Sequence, residues 1–313
     1  MSLQQTLKDL FEASLTPSPT VILFGLAFCL LAPILLHFLY STATPYTTLP
    51  SVLLLGPPGA GKTTLTTLFE RGPQQSSSSS SPVAKTHTSQ VPSSVELSVN
   101  SDDPSTSYKT NLDDEGATAK KFLLVDTPGH PKLRAQSIAH LTSAEPTIKS
   151  SLVSDGGAKS KIKAVVFMVD AAALADGDAL PSTAEYLYDI LLRLQKRFHS
   201  RNGSRAPASM PVLVAANKLD LFTALPAALV KSNLEAELGR IRVARSKGLL
   251  DSGVGQDELA ANEEGDWLGG DGSEKFSFAQ MMEFDVDIDV IGGSVIGDGP
   301  GAEKWWKWIG ERV

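Results

Sequence analysis

Hydrophobic residues occur in this chain as one long block and a series of short runs. The block is VILFGLAFCLLAPILLHFLY, Val21–Tyr40. It lies inside a stretch from Ala13 to Gly61 that holds no Asp, Glu, Lys or Arg. At about 1.5 Å per residue, a helix of this length reaches about 30 Å, the hydrocarbon thickness of a bilayer. Gly25 and Pro33 are tolerated in such helices, and Tyr40 suits an interface. The pattern predicts a single transmembrane helix over 21–40, after a short N-terminus (1–20) and before a polar linker (41–50). A signal peptide would carry a positive leader and a clear cleavage site, and neither is present. A buried soluble helix is rarely this long without a charge. Neither flank has an excess of Lys or Arg, so charge does not orient the span.

The short runs read as strands: Ser51–Leu55, Val95–Val99, Lys121–Asp126, Lys163–Asp170, Pro211–Ala216 and Phe284–Ile291. Helical spacing of apolar positions links them over Ser182–His199 and Leu225–Val243, and Glu303–Val313 reads as a closing helix. Strands alternating with helices predict an α/β fold, three layers with a mostly parallel central sheet, over 51–313. Two segments lack core-forming residues. Residues 73–118 contain six consecutive serines, and 248–275 combine acids with many glycines. Both read as flexible insertions.

Composition narrows the chemistry. The chain has 313 residues, one cysteine (Cys29) and a formal net charge of −7. A disulfide framework and a Cys-based zinc site are excluded. The acidic balance disfavours nonspecific nucleic-acid binding.

The sharpest local signal is Gly56-Pro57-Pro58-Gly59-Ala60-Gly61-Lys62-Thr63, between a strand and a helix starting near Lys62. This G-x-x-x-x-G-K-[ST] pattern turns backbone N–H groups inward to cradle phosphates, and the helix N-terminus adds positive potential. Lys62 would reach the β- and γ-phosphates, and Thr63 would give its hydroxyl to Mg²⁺. Thr64 follows as the next contact. Asp126-Thr-Pro-Gly129 fits D-x-x-G: Asp126 would hold Mg²⁺ through water, and the Gly129 N–H would sense the γ-phosphate. Asn217-Lys218-Leu-Asp220 fits N-K-x-D. A carboxylate at 220 accepts two hydrogen bonds from the N1–H and N2–H₂ edge of guanine, a donor pair that adenine lacks. Each box follows an apolar strand, and ligands of open α/β sheets sit at that end. The joint reading is GTP with Mg²⁺, and Asp220 speaks against an ATPase.

At this point the chain resembles the Ras/Arf-like small GTPases. Within them it is similar to the beta subunits of the signal recognition particle receptor. The resemblance covers about residues 20–313 apart from the two insertions. It is carried by a membrane span before the GTPase domain, DTPGH, VVFMVDAAAL, AEYLYDILLRL, LEAELGRIRVARS and EKWWKWI. It implies a switch I threonine closing on Mg²⁺, at Thr88 or Thr86, with Thr88-Ser89 matching the family's T-S pattern better. It also implies a guanine-side loop at Gly293–Ile296, where Ser294 would approach the base by its backbone. His130 stands where Ras-like proteins place a catalytic Gln, as a catalytic water-positioning residue or as a switch-loop residue.

The resemblance implies a use. The GTP form would hold the receptor's alpha subunit in a heterodimer at the endoplasmic reticulum, with ribosome and signal recognition particle engaged indirectly. No direct sequence-specific contact with nucleic acid is expected. Because GTP is cytosolic, the GTPase domain would face the cytosol and the first 20 residues the lumen. No cis arginine finger stands out, although Arg134 lies close downstream, so hydrolysis would be slow. The alternative is an Arf/Sar-like vesicle-trafficking switch, but residue 2 is Ser and no amphipathic N-terminal helix is seen. Trp305, Trp306 and Trp308 read as core residues of the closing helix, with Trp306 pointing away from the other two.

Overall fold

A computed structural model describes residues 19–43, 49–71, 86–100, 119–139, 141, 147–149, 159–199, 209–251, 267–269, 275–297 and 301–313. The chain divides into two compact units, Met1–Thr47 and Thr48–Val313.

The first unit contains helix α1, Pro19–Ala43, 25 residues with Pro33 inside. Ile22, Leu23, Phe24, Leu26, Phe28, Leu30, Leu31, Ile34 and Leu35 are all exposed. Among the described residues, no helix is long and apolar enough to cross a membrane. The transmembrane helix expected over 21–40 is therefore not supported. Most of the N-terminus (1–18) and of the linker (44–48) lies outside the described residues.

The second unit is built on a sheet of β1 (Ser51–Leu55), β2 (Ser93–Asn100), β3 (Ala119–Asp126), β4 (Thr147–Lys149), β5 (Lys159–Asp170), β6 (Met210–Asn217) and β7 (Val286–Gly292). The strand order is β2-β3-β1-β5-β6-β7, with β4 attached to β5. Strands β3, β1, β5, β6 and β7 run parallel, while β2 is antiparallel to β3 and β4 antiparallel to β5. The helices are α2 (Lys62–Arg71), α3 (Arg134–Ala139), α4 (Ala179–His199), α5 (Ala227–Asp251) and α6 (Glu303–Arg312).

Side chains alternate across each strand, so every inner strand feeds two cores. Leu53, Leu55, Val165, Phe167, Val212 and Val214 pack with α4 and α5 residues such as Leu187, Leu191, Leu234 and Leu238. Val52, Leu54, Val166, Met168, Leu213 and Ala215 pack with Leu65 and Phe69 of α2 and the tryptophans of α6. This is the expected three-layer arrangement.

The tryptophans divide as their spacing predicts. Trp305 Nε1 donates to Ile291 O at 3.0 Å, and Trp308 Nε1 donates to Asp289 Oδ2 at 2.7 Å, both on β7. Trp306 turns instead to Phe69, with ring centroids 5.0 Å apart and edge-to-face, and to Phe122. All three are buried.

Boundaries shift for local reasons. The last strand begins at Val286 rather than Phe284, because Phe278–Phe284 forms a 3₁₀ helix. A capping box of Ser277 with Gln280 opens that helix, and left-handed Asp285 closes it. Helix α5 runs eight residues past Val243 into the insertion expected from 248. Of the insertion expected over 73–118, residues 86–100 are described and include β2, while 73–85 and 101–118 lie outside the described residues. Strand β4 has no counterpart among the expected elements.

Candidate functional site

Four loops leave the carboxyl ends of β1, β3, β6 and β7, and parallel pairing sets them side by side. The first, 56–61, ends where α2 begins at Lys62. Gly61 has φ 99°, and a Cβ there would run into Asn217 Nδ2. The loop therefore lies directly against the third box, which a side chain at 61 would push away. The second loop is pinned to β1 by Thr127, whose Oγ1 donates to Leu54 O at 2.7 Å. It brings Gly129 so close that a Cβ would sit 2.6 Å from Lys62 Nζ and 2.7 Å from the carbonyl carbon of Pro57.

Lys62 turns back on its own loop and donates to Gly56 O at 2.8 Å and Pro57 O at 2.9 Å. Burial lowers its pKa from 10.5 to about 8; the Asp126 carboxylate opposes this, and the Arg134 cation adds to it. Asp126 is pushed up by burial, while the Thr63 hydrogen bond, the Lys62 charge and the Ser89 hydrogen bond pull it down. Thr63 Oγ1 donates to Asp126 Oδ2 at 2.6 Å and lies 2.8 Å from Ser89 Oγ. Ser89 Oγ reaches the same carboxylate oxygen at 3.4 Å. Asp126 Oδ1 is buried with no hydrogen-bond partner. A buried carboxylate oxygen without a donor, beside two hydroxyls, is a donor set suited to a hard divalent cation or its bound water.

The remaining expected residues fall as follows. Pro57, Pro58, Gly59 and Ala60 form the loop, and a cavity of about 190 Å³ is lined by Pro58, Gly59, Lys62, Thr63, Thr64 and Gly129 on that side. Thr86, His87, Thr88 and Ser89 line the opposite side. Thr64 Oγ1 is 3.1 Å from Thr86 Oγ1. Thr88 is exposed, and Ser89 is the hydroxyl of this segment that meets Thr63 and Asp126. His130 is exposed, does not line the cavity, and accepts from Lys132 N through Nδ1 at 3.3 Å, capping a 3₁₀ turn. Arg134 stacks 4.6 Å over the Tyr186 ring and donates to Ser182 O at 3.4 Å, so its guanidinium is held on α4.

On the base side, Asn217 bridges two loops. Its Nδ2 donates to Ala60 O at 2.7 Å, and its Oδ1 accepts from Val295 N at 3.1 Å. Lys218 adopts a left-handed conformation, φ 68°, and pairs with Asp170 Oδ2 at 2.5 Å. Asp170 Oδ1 in turn accepts from Ala172 N at 3.0 Å and Ala173 N at 3.1 Å. Asp220 is exposed beside Gly297, and Ser294 is buried between Gly293 and Val295. Sequence reasoning missed Ser89, His87 and Asp170. The available signals were the hydroxyl after Thr88 and the acid closing the VVFMVD strand.

A family model described as "Signal recognition particle receptor beta subunit" matches residues 47–284. The chain belongs to that family. It is similar to the curated signal recognition particle receptor subunit beta of Saccharomyces cerevisiae, 28% identical over 266 residues, 84% of each chain. Among solved structures, it is 55% identical to the "Signal recognition particle receptor SRb-GTP/SRX complex" of Chaetomium thermophilum. That match covers 84% of this chain and 100% of the other, with a TM-score of 0.71. The SRb-GDP-Mg structure from the same organism is 54% identical, covering 86% and 100%, with a TM-score of 0.64. Membership in this family does not favour the Arf/Sar-like alternative.

Proposed function

We propose that this chain is the GTP-binding, membrane-anchored subunit of a signal recognition particle receptor, and that it holds the alpha subunit through its nucleotide-ordered loops. The observation that carries the reading is the pairing of a phosphate loop with Asp126, whose buried Oδ1 waits for a partner beside the Thr63 hydroxyl. Relatives solved with GTP and SRX, and with GDP and Mg, support it.

In this reading the 56–61 amides and Lys62 bind the phosphates, and Lys62 exchanges its bonds to Gly56 O and Pro57 O for phosphate oxygens. Thr63, Asp126 and a hydroxyl of the 86–89 segment hold Mg²⁺, which neutralises charge on the phosphates when bound. Thr88 was the expected hydroxyl, and Ser89 fits the distances better. Asp220 reads guanine, with Asn217, Lys218 and Ser294 supporting the base pocket. Slow hydrolysis suits a binding switch. The His130 imidazole serves its own turn, and Arg134 is committed to Tyr186 and Ser182. Ordering of the switches by nucleotide would create the partner surface.

The anchor reading rests on α1, a charge-free helix whose exposed apolar side chains include successive positions 22–24, 30–31 and 34–35 and so surround its axis. A helix apolar all round has no polar face to turn to water. With GTP cytosolic, the domain 51–313 faces the cytosol at the endoplasmic reticulum and 1–20 the lumen.

Purification of the full chain in detergent, with and without the alpha-subunit N-terminal domain, followed by chromatography of the released nucleotide, tests the function. GTP retained in the complex is the expected result; bound ATP, or none, would sink the reading.

A further inference from the structure

The two ends of the parallel strands differ in charge as well as in chemistry. The carboxyl ends carry the nucleotide loops. At the amino ends, Ser51, the first residue of β1, is paired with Leu123 of β3 and Ile162 of β5. The preceding Pro50 O accepts from Leu123 N at 2.8 Å. The point where the chain enters the sheet is thus bracketed by lysines: Lys120 and Lys121 on the β3 side, Lys161 and Lys163 on the β5 side, all exposed. Among the described residues, Lys121 pairs with Glu96 at 3.4 Å in an exposed contact, and Lys120, Lys161 and Lys163 make no ion pair. A basic edge of this kind in a chain of net charge −7 matches a polyanion rather than solvent alone.

We propose that this lysine edge is a lipid-facing surface that takes the anionic headgroups of a bilayer. The inference rests on the membrane-anchor reading of α1. Seven residues, 44–50, separate Ala43 from Ser51, and an extended chain of that length covers at most about 25 Å. An edge flanking Ser51 is therefore within reach of the surface in which α1 would end. Juxtamembrane attraction to anionic lipid normally comes from Lys and Arg next to the span. This chain has none from Ala13 to Gly61, and the folded domain supplies the missing charge at its own point of attachment. Each lysine brought to such a surface strengthens attachment about fivefold, and only within a Debye length of about 8–10 Å.

The test uses the full chain reconstituted with vesicles of phosphatidylcholine alone or with about 30% phosphatidylserine, an anionic fraction sufficient to set a surface potential. Flotation reports insertion, and brief lysine acetylation read by mass spectrometry reports contact. The expected result is flotation with both vesicles, but protection of Lys120, Lys121, Lys161 and Lys163 with the anionic vesicles only, about threefold or more relative to Lys231, Lys304 and Lys307. That protection should be lost at about 0.5 M salt. The variant Lys161→Glu/Lys163→Glu should keep flotation and lose protection at Lys120 and Lys121. Equal reactivity in both vesicles, with flotation intact, overturns the lipid-facing edge. Failure to float in either vesicle overturns the anchor reading itself. Protection by added ribosomal RNA with phosphatidylcholine vesicles, and none by phosphatidylserine, assigns the edge to nucleic acid and overturns the proposal.

Discussion

The phosphate side and the base side of the pocket are prepared in different ways. On the phosphate side, polar groups make provisional contacts. Lys62 bonds to carbonyls of its own loop, and Asp126 keeps one buried oxygen unpartnered. On the base side the contacts are complete. Asn217 uses both ends of its amide, and Lys218 is held by an Asp170 that is itself held by two backbone amides. In the proposed function the phosphate side would trade bonds when a ligand arrives, whereas the base side would be a fixed frame; its contacts already tie loops together. Removing a group from the first should cost binding; removing one from the second should cost the fold as well.

The largest effect is expected from Lys62→Ala. GTP affinity should fall several hundredfold, about 3.5 kcal/mol, while the nucleotide-free protein should lose no stability, because the change also removes a buried charge. Titration calorimetry with a parallel urea melt checks both. A large loss of nucleotide-free stability would dissolve the contrast between the two sides.

The second effect concerns pH. Below about pH 8, folded and unfolded states both carry a charged Lys62, and burial of that charge costs stability in full. Between about 8 and 10.5 the folded state gives up its proton while the unfolded state keeps it. Stability of the nucleotide-free protein should therefore rise with pH across that window, by about 3 kcal/mol from this group. Lys62→Met should remove the rise, and identical urea midpoint-against-pH curves for the two proteins would contradict it.

Asn217→Ala should cost about 2 kcal/mol of unfolding free energy, because it leaves Ala60 O and Val295 N without their partner. Here thermal melts of the nucleotide-free protein decide: an unchanged midpoint means that the base side is not a structural frame. The smallest effect separates two neighbouring hydroxyls. Ser89→Ala should raise the Mg²⁺ concentration needed for GTP retention about tenfold, and Thr88→Ala should do so much less. Magnesium titration of nucleotide release ranks them, and the reverse order would return the role to Thr88.

Much of this fold is written in local pattern. The runs SVLLL, KAVVFMVD and PVLVAA are apolar because both faces of a parallel strand are covered, and they became β1, β5 and β6. The three boxes were legible because each sits where such a run stops. Composition equally led to the expectation of a membrane span, but among the described residues no helix is long and apolar enough to cross a membrane. Ser89 was missed because its role is a meeting of positions 63, 89 and 126, and nothing local ranks it above Thr88. Asp170 was missed because a strand-terminal acid gives no sign that a lysine 48 residues later will fold back on it. Strand β4 is too short to carry a period.

The sequence by itself determined most of the elements and where the glycine loop and the two later boxes fall, because these depend on residue type at fixed spacing along one strand–loop–helix unit. Only the tertiary structure decided which hydroxyl meets Asp126, where the imidazole of His130 turns, and that lysines from β3 and β5 flank the entry of the chain. The first and last join segments far apart in sequence, which sheet order and register bring together, whereas the His130 imidazole turns to the Lys132 amide two residues on.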